Sequence, residues 1–157
     1  LQCRSLDTPG VADDILGKFR ELGIAGDRID LIGRRSHADL LADYGKIDLV
    51  LDPFPWTGSI VTCEAMWMGV PTITLYGDSI VSRYSMTYQK VAGLDGFSAE
   101  NIEDYVTLAV QWSKRAEDLA LLRGRLRAQV AGSPLCDGPG FARNLENLFE
   151  MMTADRG

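Results

Sequence analysis

Histidine is nearly missing from this chain: there is one, His37, in 157 residues. A lone imidazole cannot build a histidine cluster for a metal, and no D-x-D pair of carboxylates is present to replace it. Cysteine is sparse as well. Cys3, Cys63 and Cys136 are odd in number and far apart, with no C-x-x-C pair, which points to reduced thiols rather than a disulfide framework or a zinc site. Basic residues are outnumbered, 16 against 22 acidic ones, and a net charge of −6 does not suit a nucleic-acid surface. Apolar runs all fall short of the roughly 20 residues that a membrane helix needs, so neither a membrane segment nor a signal peptide is expected. Repeats and low-complexity segments are also missing. What remains is one domain of ordinary size in a reducing, cytoplasmic setting.

The chain is organised around Leu49–Leu75, LVLDPFPWTGSIVTCEAMWMGVPTITL. Leu49-Val50-Leu51 suits a buried strand. Asp52-Pro53-Phe54-Pro55 interrupts regular structure, because each proline fixes its own φ and restricts the residue before it. Gly58-Ser59 opens a helix with Ser59 as its N-cap, and Cys63, Met66 and Trp67 fall on one packed side. Gly69 ends that helix, and Val70–Leu75 is the next strand. The unit is β-α-β, and its helix starts just past the carboxyl end of a strand. There, free N–H groups and the helix dipole favour phosphate.

On either side the pattern repeats. Leu1–Arg4 reads as the tail of a strand, and the missing methionine leads us to expect an N-terminally truncated piece of a longer protein. A helix is predicted from Val11 to Leu22, closed by Gly23, and a strand over Arg28–Ile32 ending at Gly33. Ser36 should cap a short helix over His37–Tyr44, with Leu40, Leu41 and Tyr44 facing inward. A helix is predicted from Ser79 to Val91. Leu94–Phe97 is a turn, and Ser98 caps a helix with Ile102, Tyr105, Val106 and Ala109 on one stripe. Ala116–Val130 is helical, with Leu119, Leu122 and Leu126 inward and Arg123, Arg125 and Arg127 outward. A last helix over Phe141–Met152 is expected to bury Phe141, Leu145, Leu148 and Phe149. This alternation gives an α/β fold: a Rossmann-like parallel sheet flanked by helices over residues 1–97, then a helical C-terminal tail over residues 98–157.

The string DPFPW-G, followed by TCEAMWMGVPTITL and then Ser82-Arg83, resembles the O-linked N-acetylglucosamine transferase family, which includes the SPINDLY-like proteins. The similarity runs on through Ser133-Pro134-Leu135 to the closing aromatic helix. It implies the second, donor-binding half of a GT-B fold, and a parent that is an inverting glycosyltransferase using no metal and no cofactor. UDP-N-acetylglucosamine is then the default donor and protein Ser/Thr the acceptor, reached through an upstream domain. GDP-fucose or UDP-glucose are donors of relatives. A non-catalytic nucleotide-sugar-binding or interaction module is the alternative.

The resemblance also assigns residues. Glu64 would accept hydrogen bonds from the ribose hydroxyls; as a plain helix-start acid it would instead only favour the dipole. Gly58, Ser59, Ile60, Val61 and Thr62 would form the diphosphate turn, by backbone N–H groups and the Thr62 hydroxyl. Many members carry G-G-T-T-T or G-H-T-T here, so Ser59-Ile60-Val61 removes two hydroxyl donors; Ile60 and Val61 read equally well as core residues. Backbone at Arg35 would meet the base and the His37 side chain would cover it. Arg83 is expected to hold its loop by pairing with Asp52 or Asp78. Trp56 and Trp67 read as packing residues. The catalytic group is expected upstream, so this chain alone should be inactive. A sheet lacking its first strand is expected to pair with a second copy, giving a homodimer.

Overall fold

The computed structural model describes residues 1–154 and divides into two compact units, Leu1–Ala42 and Asp43–Gly157. In the first unit, Gln2 and Ile32 form a single parallel bridge, with Cys3 N–H on the Ile32 carbonyl (3.0 Å) and Ile32 N–H on that of Leu1 (2.9 Å). The strand predicted over Arg28–Ile32 therefore shrinks to one bridge, and Gly26–Arg28 winds into a 3-10 turn instead. Its partner segment leaves the ladder after Cys3, where Arg4–Asp7 winds into a 3-10 turn. Helix α1 spans Val11–Glu21, and Gly23 follows with the positive φ of 76° that glycine tolerates. The Asp7 carboxylate takes the Arg34 N–H at 3.1 and 3.2 Å. Helix α2, His37–Asp43, starts where predicted: the Ser36 hydroxyl accepts the Asp39 N–H at 3.2 Å and donates to its carboxylate at 2.7 Å.

The second unit holds a three-stranded parallel sheet in the order β1-β2-β3. Strand β1 is Val50–Leu51, β2 is Thr72–Leu75 and β3 is Ser98–Ala99. Val50 pairs with Thr72 and Leu51 with Ile73; Thr74 pairs with Ser98 and Leu75 with Ala99. Helix α3, Ile60–Trp67, is the β1–β2 crossover, and Gly69 terminates it at φ 84°. Between β2 and β3 the helix expected from Ser79 is broken into a 3-10 turn, Ile80–Ser82, and helix α4, Tyr84–Val91. The Ser79 hydroxyl captures the Ser82 N–H and tightens the turn. Gln89 on α4 is fully buried and ties the sheet together, donating to the Thr72 carbonyl and accepting from the Ser98 hydroxyl.

Ser98 belongs to β3, so it is Asn101 that caps α5 (Ile102–Ser113), through the Asp104 N–H at 2.9 Å. The buried stripe of α5 also shifts. Tyr105, Leu108, Ala109 and Trp112 pack inward, whereas Ile102 and Val106 are exposed. Helix α6, Ala116–Ala131, buries Leu119, Leu122 and Leu126 as predicted. The core joins Met66, Ile73, Leu94, Phe97, Leu122, Leu126 and Val130, with Phe97 stacked on Trp112 at 4.4 Å between ring centres. Trp67 is not packed into it. Trp67 lies half-exposed beneath the Arg127 guanidinium, 4.7 Å from the ring centre.

Helix α7, Gly138–Ala154, is longer than predicted, and its apolar stripe is not buried: Phe141, Leu145, Leu148 and Phe149 are all exposed. The apolar spacing does form one stripe of a helix, but the element α7 contacts most is the 3-10 turn Pro134–Cys136 just ahead of it. No helix among the described residues is long and apolar enough to cross a membrane.

Candidate functional site

The turn between β1 and α3 is held by a buried carboxylate. Asp52 ends the strand, and its Oδ1 accepts the Gly58 N–H at 2.8 Å while Oδ2 accepts the Thr74 hydroxyl at 2.8 Å. The loop Pro53–Thr57, which contains a cis Phe54–Pro55 peptide, thus closes back on its own origin. Thr57 fastens the far side, giving both its N–H (3.3 Å) and its hydroxyl (2.8 Å) to the Val81 carbonyl. Beneath the turn, the Thr62 and Ser85 hydroxyls lie 2.8 Å apart, and the Ser85 hydroxyl donates to the Gly58 carbonyl at 2.8 Å. A Cβ on Gly58 would stand 2.6 Å from the Thr62 hydroxyl and 3.2 Å from Asp52 Oδ1, so only glycine fits.

This geometry redistributes the donors. The Gly58 N–H is taken by Asp52, and the buried Thr62 hydroxyl is directed at Ser85. The first helical bond runs from the Cys63 N–H to the Ser59 carbonyl at 3.4 Å, so the N–H groups before it have no helical partner; Thr62 is buried, which leaves those of Ser59, Ile60 and Val61 for a ligand. Ser59 precedes the helix at its N-cap position, but its side chain makes no capping bond. Ile60 and Val61 are 71% and 50% exposed, which settles the choice between core and surface for both. Glu64, half-buried, follows in the second turn of α3.

Arg35 and His37 sit in the first unit, both exposed, His37 as the first residue of α2 and Arg35 two residues ahead of it. Arg83 does hold its loop, but through other partners than expected. Its Nη1 donates to the Gly77 carbonyl at 3.3 Å and its guanidinium lies 5.7 Å from the Tyr76 ring centre. Asp52 cannot serve it, being engaged by Gly58 and Thr74. Trp56 is exposed on the turn. Among the described residues no group of three His, Cys, Asp or Glu side chains converges as metal ligands would.

Sequence reasoning passed over Tyr44 and the role of Arg123. The Tyr44 hydroxyl donates to the Val61 carbonyl at 3.2 Å, in the first turn of α3. Arg123, expected to face outward, instead donates to the carbonyls of Tyr44 and Ile47. Asp52 did carry a signal, a single acid closing an apolar strand before a proline turn; Tyr44 carried none beyond its inward face. Burial, and to a lesser degree the Glu64 charge, pushes the Tyr44 hydroxyl up to about 12. Burial likewise raises Cys63, helped by Cys136 and Glu64, and raises Tyr105, whose hydroxyl donates to the Asp52 carbonyl at 3.0 Å beside the Asp52 charge.

The Tyr44 shift has a measurable sign. Its folded pKa lies above the unfolded value near 10, so its contribution is complete below pH 10 and is lost as pH rises through 12. Between pH 9 and 11.5 the protein should lose about 2 kcal/mol through this group. Urea midpoints of wild type and Tyr44→Phe at both pH values isolate it, because Tyr105 and Tyr76 titrate in both proteins. Parallel losses in the two would contradict the assignment.

Comparison with known proteins gives concordant matches. Residues 12–145 match the family described as glycosyl transferase family 41. Proteins named "Probable UDP-N-acetylglucosamine--peptide N-acetylglucosaminyltransferase SPINDLY" from Petunia hybrida and Eustoma exaltatum are 34% and 35% identical over 97% of this chain. The chain spans only 16% and 17% of the length of these curated relatives. A solved mutant O-GlcNAc transferase from Thermobaculum terrenum superposes with a TM-score of 0.88 at 31% identity, covering 99% of this chain and 30% of its own.

Proposed function

Because the chain belongs to glycosyl transferase family 41, we propose that it is the donor-binding half of a protein O-GlcNAc transferase, taking UDP-N-acetylglucosamine as its nucleotide sugar. The observation that carries this reading is the clamped turn at the carboxyl edge of the parallel sheet. It presents the N–H groups of Ser59–Val61 at the start of α3, with Glu64 one turn further on. In this reading the diphosphate sits on those N–H groups, and Glu64 accepts from the ribose hydroxyls. As the bond from anomeric carbon to diphosphate breaks, negative charge grows on the leaving phosphate. The fixed N–H dipoles and the helix N-terminus stabilise it without a metal. Direct displacement by a Ser or Thr hydroxyl inverts the anomeric centre. The acceptor site and the proton-relay groups belong to the larger part of the parent protein.

Exposed Ile60 and Val61 stand where hydroxyl donors would strengthen the grip, so the diphosphate depends on backbone donors and the Ser59 hydroxyl. UDP should therefore bind this chain weakly, at roughly millimolar to tens of micromolar, or about −4 to −6 kcal/mol. Glu64→Ala should remove about 1.5–3 kcal/mol of it, and Glu103→Ala, exposed on α5, should remove nothing. An NMR shift titration with UDP on the three proteins decides the matter. Shifts clustered on Ser59–Glu64 and lost in Glu64→Ala support the donor reading. Equal binding by Glu64→Ala, or shifts elsewhere, would instead indicate a non-catalytic module. Parallel titrations with UDP-glucose and GDP-fucose rank the alternative donors.

A further inference from the structure

Tyr44 opens the 3-10 turn Tyr44–Lys46, six residues ahead of β1, and its ring is buried. From there its hydroxyl reaches the Val61 carbonyl, 3.2 Å away, on a different element. Val61 is one residue before Thr62 and three before Glu64, so this bond anchors the segment that presents the candidate donor groups. The backbone of Tyr44 is itself gripped from α6. Arg123 spans two carbonyls, those of Tyr44 and, at 2.7 Å, Ile47, with Asp48 3.5 Å from the same guanidinium. Gly69 makes that approach feasible: a Cβ there would stand 3.0 Å from both Cγ and the carbonyl oxygen of Arg123. A continuous strut thus runs from α6 through Arg123 and Tyr44 to the first turn of α3.

We propose that Tyr44 is a positioning residue of the donor site, fixing the Val61–Glu64 turn through its hydroxyl while Arg123 fixes Tyr44. This rests on the donor reading above but concerns a residue outside the turn, and it does not place Tyr44 in contact with substrate. The phenol suits the role, because an ordinary tyrosine hydroxyl is already a donor throughout the neutral range, and burial with the Glu64 charge only extends that range upward. Val61 can accept the bond without losing its helical partner, since a carbonyl has two lone pairs.

The test uses Tyr44→Phe, which keeps the ring and deletes only the hydroxyl, in the 157-residue chain. UDP affinity should fall about three- to tenfold at temperatures where both proteins are folded, the size of one neutral hydrogen bond. In the ligand-free protein, amide hydrogen exchange at Cys63, Glu64 and Ala65, the first hydrogen-bonded amides of α3, should quicken by a comparable factor, while amides of α5 keep their wild-type rates. In a Glu64→Ala background the same substitution should cost less, because the group being positioned is gone. Unchanged UDP affinity in Tyr44→Phe overturns the proposal whatever happens to the melting temperature, and so does full additivity with Glu64→Ala. If wild type itself binds no UDP, the donor reading fails instead. The exchange comparison then judges the strut alone, and unaltered exchange at Cys63, Glu64 and Ala65 overturns it.

Discussion

Asp52→Ala should destabilise the protein by about 3–4 kcal/mol, although Asp52 makes no salt bridge with Arg83. The carboxylate bridges the end of β1, the Gly58 N–H and the hydroxyl of Thr74, and Thr74 is fully buried. Its removal orphans two donors at once, each costing about 1–3 kcal/mol when left dry, and leaves a small void under the turn. Asp52→Asn should be far milder, below about 1.5 kcal/mol, since an amide oxygen can still accept from Gly58 while its NH₂ donates to the Thr74 oxygen. Urea unfolding with unchanged slope would give both values. If Asn proved as damaging as Ala, the charge of Asp52 rather than its acceptor geometry would be the important property. Asp52→Ala should also abolish the UDP-dependent shifts at Ser59–Val61, because the closed loop is what aims those N–H groups.

Leu126→Ala is the second large effect expected, at about 2–5 kcal/mol. Leu126 is 0% exposed and belongs to the same buried cluster as Met66, Phe97, Leu122 and Val130. Leu121, on the same helix but 72% exposed, is the control, and Leu121→Ala should stay within about 0.5 kcal/mol. A loss below 1 kcal/mol for Leu126→Ala would mean that α6 docks far more loosely on the sheet than its buried stripe indicates.

The sheet and its crossover were legible because they depend on short-range signals. A short apolar run broken by Asp52-Pro53, a glycine at each end of α3 and a second apolar run define β1-α3-β2 without reference to anything distant. The inward face of α6 was equally plain, since its leucines recur at the helical period. Two local readings failed by competition: Ser98 was drawn into β3 by pairing with Thr74, and Asn101, three residers upstream of Asp104, took the cap. Helix α7 shows the opposite limit. Phe141, Leu145, Leu148 and Phe149 do form one stripe, but periodicity reports which side of a helix is apolar, not whether anything lies against it.

For the candidate site, the chain sequence determined the β-α-β unit, the position of the turn between β1 and α3 and the place of Glu64 on the helix that follows, because these depend on residues adjacent along the chain. Tertiary structure alone decided which donors stay free. Asp52 takes the Gly58 N–H, Ser85 engages Thr62 from 23 residues away, and Tyr44, held by Arg123 79 residues along, braces Val61. Such bonds depend on where separate elements come to rest after packing, and no local pattern encodes the direction in which a hydroxyl or guanidinium points once they have.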